Sequence, residues 1–192
     1  KPRGSTYFKD PETGRTAPHT WSYGGAKYAS RPSDSRPKIP ESFDRVAILP
    51  QGKNTLIVEL GEKLPDEGIL RVRVLASRTT SEGQDRPPSL QLEFGWQASN
   101  EGRARLRVST EDIPITAAPE KPEFYQWDLP MGDIYPRNSV RKTSRLGSMP
   151  SPSEYIRLVN SSVSQGDIQI SYVEVSGPVY DQWPPESHKR IF

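Results

Sequence analysis

The constraint that most limits what this chain can fold into is a phase: in stretch after stretch, apolar and charged residues alternate with a period of two. Ile69 to Ala76 puts Leu70, Val72 and Val74 on one side and Arg71 and Arg73 on the other. Arg103 to Val108 repeats the pattern, with Ala104, Leu106 and Val108 against Arg103, Arg105 and Arg107. A helix would scatter such an alternation around its circumference, whereas a strand sorts it onto two faces. Half of every such strand must be hidden, and the other half must stay wet.

The same phase runs through Thr55 to Leu60 (Leu56, Val58), Leu90 to Trp96 (Leu92, Phe94), Glu123 to Leu129 (Tyr125, Trp127) and Glu154 to Asn160 (Ile156, Leu158), and Asp167 to Ser176 is rich in β-branched side chains. Turn signals separate these runs, among them Leu64-Pro-Asp-Glu-Gly68, and Asn100-Glu-Gly102 joins two of them as a hairpin. No stretch has a helical period. One apolar face per strand calls for a second sheet to cover it. The expected fold is therefore all-β, a two-sheet antiparallel β-sandwich of jelly-roll type with eight or nine strands, spanning residues 46–176. Its core is expected to hold Leu56, Val58, Leu70, Val72, Val74, Leu92, Phe94, Leu106, Val108, Ile156 and Leu158.

Two segments lack this phase. Residues 1–45 hold six Pro, nine Lys or Arg and five acidic residues, and read as an irregular N-terminal arm. Within it, Trp21 to Tyr28 groups three aromatics around a Gly pair, either as a hook docked on the sandwich or as a binding loop. At the other end Gly177-Pro178 closes the last strand, and residues 177–192, with Tyr180, Trp183 and Phe192, read as a connector packed back on the module.

Composition removes several chemistries. A net charge of +2 supplies no basic field for nucleic acid. No apolar run is long enough for membrane insertion. The chain has no cysteine, which excludes disulfides and thiol catalysis, and its two histidines, His19 and His188, cannot assemble a triad or a multi-histidine metal site. The expectation is a protein that is not an enzyme. Asp66-Glu67, Glu111-Asp112 and Asp167 with Glu174 are carboxylate pairs that read as turns and solvated surface. No cofactor is expected, with calcium the one candidate, since hard oxygen donors at Glu59, Asp66 and Asp167 are all it requires, although no Asp-x-Asp-x-Asp-Gly run is present.

Binding chemistry has more to work with. The outward Arg71, Arg73, Arg103, Arg105, Arg107 and Arg157 form either a stripe for an anionic polymer or a ladder answered across strands by Glu59, Glu93, Asp128 and Glu174. Trp96, Tyr125 and Trp127 are either core or a flat platform that stacks on sugar rings. The longest stretch without a pattern, Met131 to Ser153, carries Tyr135, Arg137 and Asn138 and is the natural place for a small polar site. Gln165 and Asp167 stand at a loop end where a ligand could also sit. Asn160-Ser-Ser162 matches a glycosylation acceptor, a match that chance supplies readily.

The stretches Pro88-Ser-Leu-Gln-Leu-Glu-Phe-Gly-Trp-Gln-Ala-Ser99, Phe124-Tyr-Gln-Trp-Asp-Leu-Pro130, Pro152-Ser-Glu-Tyr-Ile-Arg-Leu-Val-Asn-Ser-Ser162 and Gly177-Pro-Val-Tyr-Asp-Gln-Trp-Pro-Pro-Glu-Ser-His-Lys-Arg-Ile-Phe192 resemble the middle domain of large planctomycete-type cytochrome c proteins of uncharacterised function. The resemblance covers most of residues 43–192. It implies a haem domain before this one, helical domains after it, and export to the periplasm or cell envelope. Such a domain is similar to carbohydrate-binding modules of the galactose-binding-like class, which implies a non-catalytic module that binds a polysaccharide or glycan. Trp96, Trp127, Tyr135, Arg137, Asn138, Gln165 and Asp167 would then carry the ligand. The alternative role is a spacer that docks neighbouring domains of the same parent chain. The early acidic calcium motif of those modules is not evident here, so fold transfers better than ligand.

Overall fold

In the computed structural model, which describes residues 6–17, 35, 38–61, 64–79, 86–97, 103–109, 111–134, 154–161 and 165–180, the alternating runs become strands of two antiparallel sheets. In chain order these are β1 (Tyr7–Lys9), β2 (Thr16–Ala17), β3 (Val46–Leu49), β4 (Thr55–Gly61), β5 (Ile69–Thr79), β6 (Ser89–Gln97), β7 (Arg103–Arg107), β8 (Ile113–Pro114), β9 (Glu123–Pro130), β10 (Glu154–Asn160) and β11 (Asp167–Val179). One sheet has the order β2-β1-β3-β11-β5-β9; the other runs β4-β10-β6-β7, with β8 paired to β6. From β3 onward the chain crosses repeatedly between them, as a jelly roll does.

The inward faces meet as the alternation predicts. Leu70, Val72, Val74 and Ala76 of β5 and Ile168 and Ile170 of β11 pack against Leu90, Leu92 and Phe94 of β6 and Ile156 and Leu158 of β10, all essentially inaccessible. Burying a Leu, Ile or Phe in this way contributes roughly 1.5–3 kcal/mol each. Val58, Leu106 and Val108 lie partly buried at the margins.

β11 carries an irregularity that reading its sequence as one regular strand does not anticipate. Ile168 and Ile170 are in one phase, Val173 and Val175 in the other, and a regular strand cannot bury both pairs. The register shifts between Ile170 and Tyr172, so that both pairs face the core and Tyr172 and Glu174 face out.

Two boundaries differ from the sequence expectation. The irregular arm of residues 1–45 contains β1 and β2, a small hairpin that extends the first sheet beside β3. Strands of two or three residues are too short to show a period, but the turn between them is chemical: the Asp10 carboxylate accepts from the N–H groups of Glu12 and Thr13, and Phe8 is driven into the core. At the other end β11 continues past Gly177-Pro178 to Val179, whose partner is Ile69. Tyr180 then packs on Gly68, whose φ of +86° and close approach to Pro178 leave no room for a side chain. Trp21 to Tyr28, Trp183 and Phe192 lie outside the described residues.

Candidate functional site

β5 places its two neighbours in register across the outer face of its sheet. Arg71 lies between Asp128 and Ser176, Arg73 between Gln126 and Glu174, and Leu75 between Phe124 and Tyr172. The described outward arginines are met by carboxylates: Arg71 by Asp128 at 2.8 Å, Arg73 by Glu174 at 3.4 Å, Arg107 by Asp112 at 2.8 Å, and Arg157 and Arg105 by Glu93 at 3.0 and 3.9 Å. This is the cross-strand ladder, not an open basic stripe. The Arg71 hydrogen bond holds the Asp128 carboxyl below its usual range.

The aromatic candidates separate. Trp96 is 7% exposed and packs beside Phe94, so it is core rather than a platform. Its position on the inward phase of β6 decides this, because a large ring there has nowhere else to go. The Tyr125 hydroxyl accepts from the N–H groups of Thr116 and Ala117 and pins the connection leading into β9. Trp127, also 7% exposed, is core on one side but lines a cleft on the other. Its ring is no flat exposed platform either.

The cleft, about 520 Å³, opens at the sandwich margin where the edge strands β7 and β9 fail to meet. One wall is the segment after β7, with Ser109, Glu111 and Ile113; the other is the end of β9 and the 3-10 turn Met131–Asp133, with Asp133 and Ile134. The first wall is well held. Arg107 donates through Nε to the Ser109 carbonyl and through Nη2 to Asp112, while the Ser109 hydroxyl bonds both the N–H and the carbonyl of Leu92, standing in for a strand partner. Trp127 lines the cleft, and its Nε1 is buried with no hydrogen-bond partner. A buried N–H left without an acceptor costs about 1–3 kcal/mol, and a ligand oxygen would remove that cost.

Of the polar candidates, Tyr135, Arg137 and Asn138 lie outside the described residues, although the loop that bears them leaves from the cleft wall at Ile134. Gln165 is exposed. The Asp167 Oδ1 accepts from the Gln51 N–H at 3.1 Å, and its charge, after burial, raises the Tyr7 pKa. The end of β9 at the cleft and Asp167 stand far apart. Pro130 pairs with Ile69 and Asp167 with Thr79, the opposite ends of β5, roughly 33 Å apart. The sequence does not place Glu111, Ile113 and Asp133 at a site: Glu111 reads only as surface carboxylate, and Ile113 in the two-residue β8 and Asp133 in a 3-10 turn lie in elements too short to show a period.

Asn160 is wholly buried, its Nδ2 donating to the carbonyls of Leu49 and Gly166 at 2.9 Å each, so the acceptor motif is closed to glycosylation in the folded chain. Among the described residues no group of three His, Cys, Asp or Glu side chains converges to hold a metal, and no helix is long and apolar enough to cross a membrane.

No family model and no curated protein sequence matches the chain. Among solved structures it is similar to one titled "Family 16 Carbohydrate Binding Module-2", at 9% identity over 71% of this chain and 79% of that one with a TM-score of 0.40. It is also similar to the CBM22-1 xylan-binding domain from Paenibacillus barcinonensis Xyn10C, at 10% identity over 72% and 75% of the two chains with a TM-score of 0.42.

Proposed function

We propose that the chain is a non-catalytic carbohydrate-binding module whose ligand enters the cleft between β7 and β9. The observation that carries this is a cleft lined by Trp127, whose buried Nε1 has no partner, by carboxylates at Glu111 and Asp133 and by an apolar wall at Ile113. A sugar is matched to such a lining: its hydroxyls both accept from an indole N–H and donate to carboxylates, while its C–H faces pack on apolar side chains. Isothermal titration of the chain against neutral poly- and oligosaccharides, with and without calcium, tests the reading and the calcium expectation together. Trp127→Phe keeps an aromatic, though smaller, ring and removes the donor, and should weaken binding by about 5- to 10-fold. Absence of binding to every glycan would reject the reading.

The larger setting proposed for the module is an exported, envelope-located multidomain cytochrome c protein, on the strength of the sequence resemblance. A second role, docking the neighbouring domains of that protein, is favoured by the packing of Tyr180 onto Gly68, which brings the chain after β11 back against the sandwich. Removing residues 181–192 should leave the sandwich melting unchanged and abolish docking of the next domain; unchanged docking would reject that role.

A further inference from the structure

Two ion pairs stand side by side on the outer face of the first sheet, and they are not equivalent. Arg71 closes on Asp128 with two bonds, Nε to Oδ1 and Nη2 to Oδ2, both 2.8 Å, and Gln126 donates to Oδ1 as well. Arg73 reaches Glu174 through a single 3.4 Å contact to Oε1. The other oxygen of Glu174 is buried and has no donor, in a residue only 8% exposed. A desolvated carboxylate oxygen without a partner is costly, and native structures seldom keep one idle. The first pair is saturated; the second has spare capacity on both partners.

The surroundings of the second pair are ordered. The Arg73 guanidinium lies over the Phe124 ring, 4.2 Å from its centroid, which orients its plane and leaves edge N–H groups unengaged. Leu75 and Tyr172 complete an apolar row with Phe124 directly beside it, and the Tyr172 phenol is kept protonated by burial and then by the Glu174 charge. Phe43 flanks Tyr172 with its ring centroid 6.3 Å away.

We propose that Arg73 and Glu174 form a second subsite, which reads a vicinal diol of a neutral sugar: one hydroxyl accepts from the Arg73 guanidinium, and its neighbour donates to the free oxygen of Glu174. The donor and acceptor lie side by side, as the two hydroxyls of a diol do, and the row of Phe124, Leu75 and Tyr172 receives the apolar side of the ring. Access to the oxygen and to the Phe124 face requires Arg73 to move off both its single 3.4 Å contact with Glu174 and its place over the ring. Glu174 repels a uronate, so the subsite selects neutral over acidic sugars. Asp128 lines the cleft and also belongs to this face, in the row next to Arg73 and about 7 Å along β9. A ligand that enters the cleft can therefore continue onto the face, and the preferred ligand is an oligosaccharide rather than a single sugar. This inference rests on the glycan reading above.

The test titrates the 192-residue chain with neutral xylo-, cello- and manno-oligosaccharides from mono- to hexasaccharide and with oligogalacturonates. Affinity for the best neutral series should rise with length, and Glu174→Gln and Arg73→Gln should each weaken hexasaccharide binding at least 10-fold with little effect on the monosaccharide. Arg157→Lys, on the other sheet, should change it less than twofold. Because either face variant could unsettle folding, the carboxyl carbon-13 resonance of Glu174 is followed in the native chain and should move on adding hexasaccharide. Hexasaccharide binding within twofold of native in Glu174→Gln, a resonance that does not move, or a preference for oligogalacturonates would overturn the diol subsite while leaving the cleft reading intact. Failure of the native chain to bind any sugar overturns both.

Discussion

Replacing Gly95 by Ala should destabilise the domain through one ring, and the same replacement should be harmless once that ring is gone. Gly95 pairs with Tyr155 across β6 and β10, and a Cβ built on Gly95 would fall inside the space of the Tyr155 ring, against Cζ, Cε2 and the hydroxyl. Tyr155 is 4% exposed although it sits on the outward phase of β10. It stays covered by lying flat over a residue that has no side chain. Adding the methyl forces the ring off; losing about 100 Å² of its burial at ~25 cal/mol per Å² costs roughly 2.5 kcal/mol. Against this, Gly95 has no positive φ, so Ala recovers about 0.5–1 kcal/mol of backbone entropy. The single variant should lose about 2 kcal/mol, whereas Gly95→Ala in a Tyr155→Ala background should gain up to 1 kcal/mol, a coupling of roughly 2–3 kcal/mol. Equilibrium unfolding in urea of the four proteins of this cycle measures it. Additive effects within about 0.5 kcal/mol would refute the account.

Asn160→Ala orphans the carbonyls of Leu49 and Gly166 at the end of the sandwich and should cost about 2–4 kcal/mol in the same assay; mass spectrometry of the chain secreted from a glycosylating host should find Asn160 unmodified. Gly68→Ala forces a side chain into a φ of +86° and into Pro178 and the Tyr180 ring, so stability should fall by at least the ~1–2 kcal/mol of the backbone term, with Tyr180 becoming accessible to solvent by hydroxyl-radical labelling. Asp128 has a folded pKa below its unfolded one, so its pairing with Arg71 stabilises fully above the unfolded carboxyl pKa of about 3.9 and is lost as pH falls through the lowered folded value. Asp128→Asn should thus cost up to about 1 kcal/mol at pH 7 and nothing at the acid end, and a variant effect that persists at the lowest pH would contradict the sign.

What the sequence revealed and what it concealed have physical reasons. Strand alternation is imposed by burial along each chain segment, so β5, β6, β9 and β10 and their inward residues could be read directly. The bulge of β11 is not legible: Ile168 to Val175 reads as one regular strand, and only the register shows the break between Ile170 and Tyr172. The cleft could not be read, because its walls come from the ends of β7 and β9 and from turns whose juxtaposition depends on how two sheets splay apart at one edge. Trp127, open as core or platform from sequence, is core, and what singles it out is a nitrogen with no acceptor, which only the packed structure reveals. The ladder was legible as charges in phase, yet the difference between a saturated Arg71–Asp128 pair and an unsaturated Arg73–Glu174 pair is a matter of side-chain distance that no spacing encodes.

Both sites depend on β9 being an edge strand. Among the described residues, its inward residue Trp127 has β5 on one side and no strand on the other, so the indole lines the gap beside β7. The next residue, Asp128, points the opposite way, onto the outer face. Alternation along one strand therefore links an interior donor to an exterior row of side chains within a single peptide step. A central strand could not do this, because its inward side chains are enclosed by neighbours on both sides. Among the described residues, the edge position also leaves the outer backbone groups of β9 without a strand partner, a liability that invites strand addition unless charge blocks it. Glu123 and Asp128 supply that charge, and Arg71 holds Asp128 in place. The closed Arg71–Asp128 pair thus protects the edge and fixes the rim where the cleft meets the face, while the open Arg73–Glu174 pair one row away is free to serve a ligand.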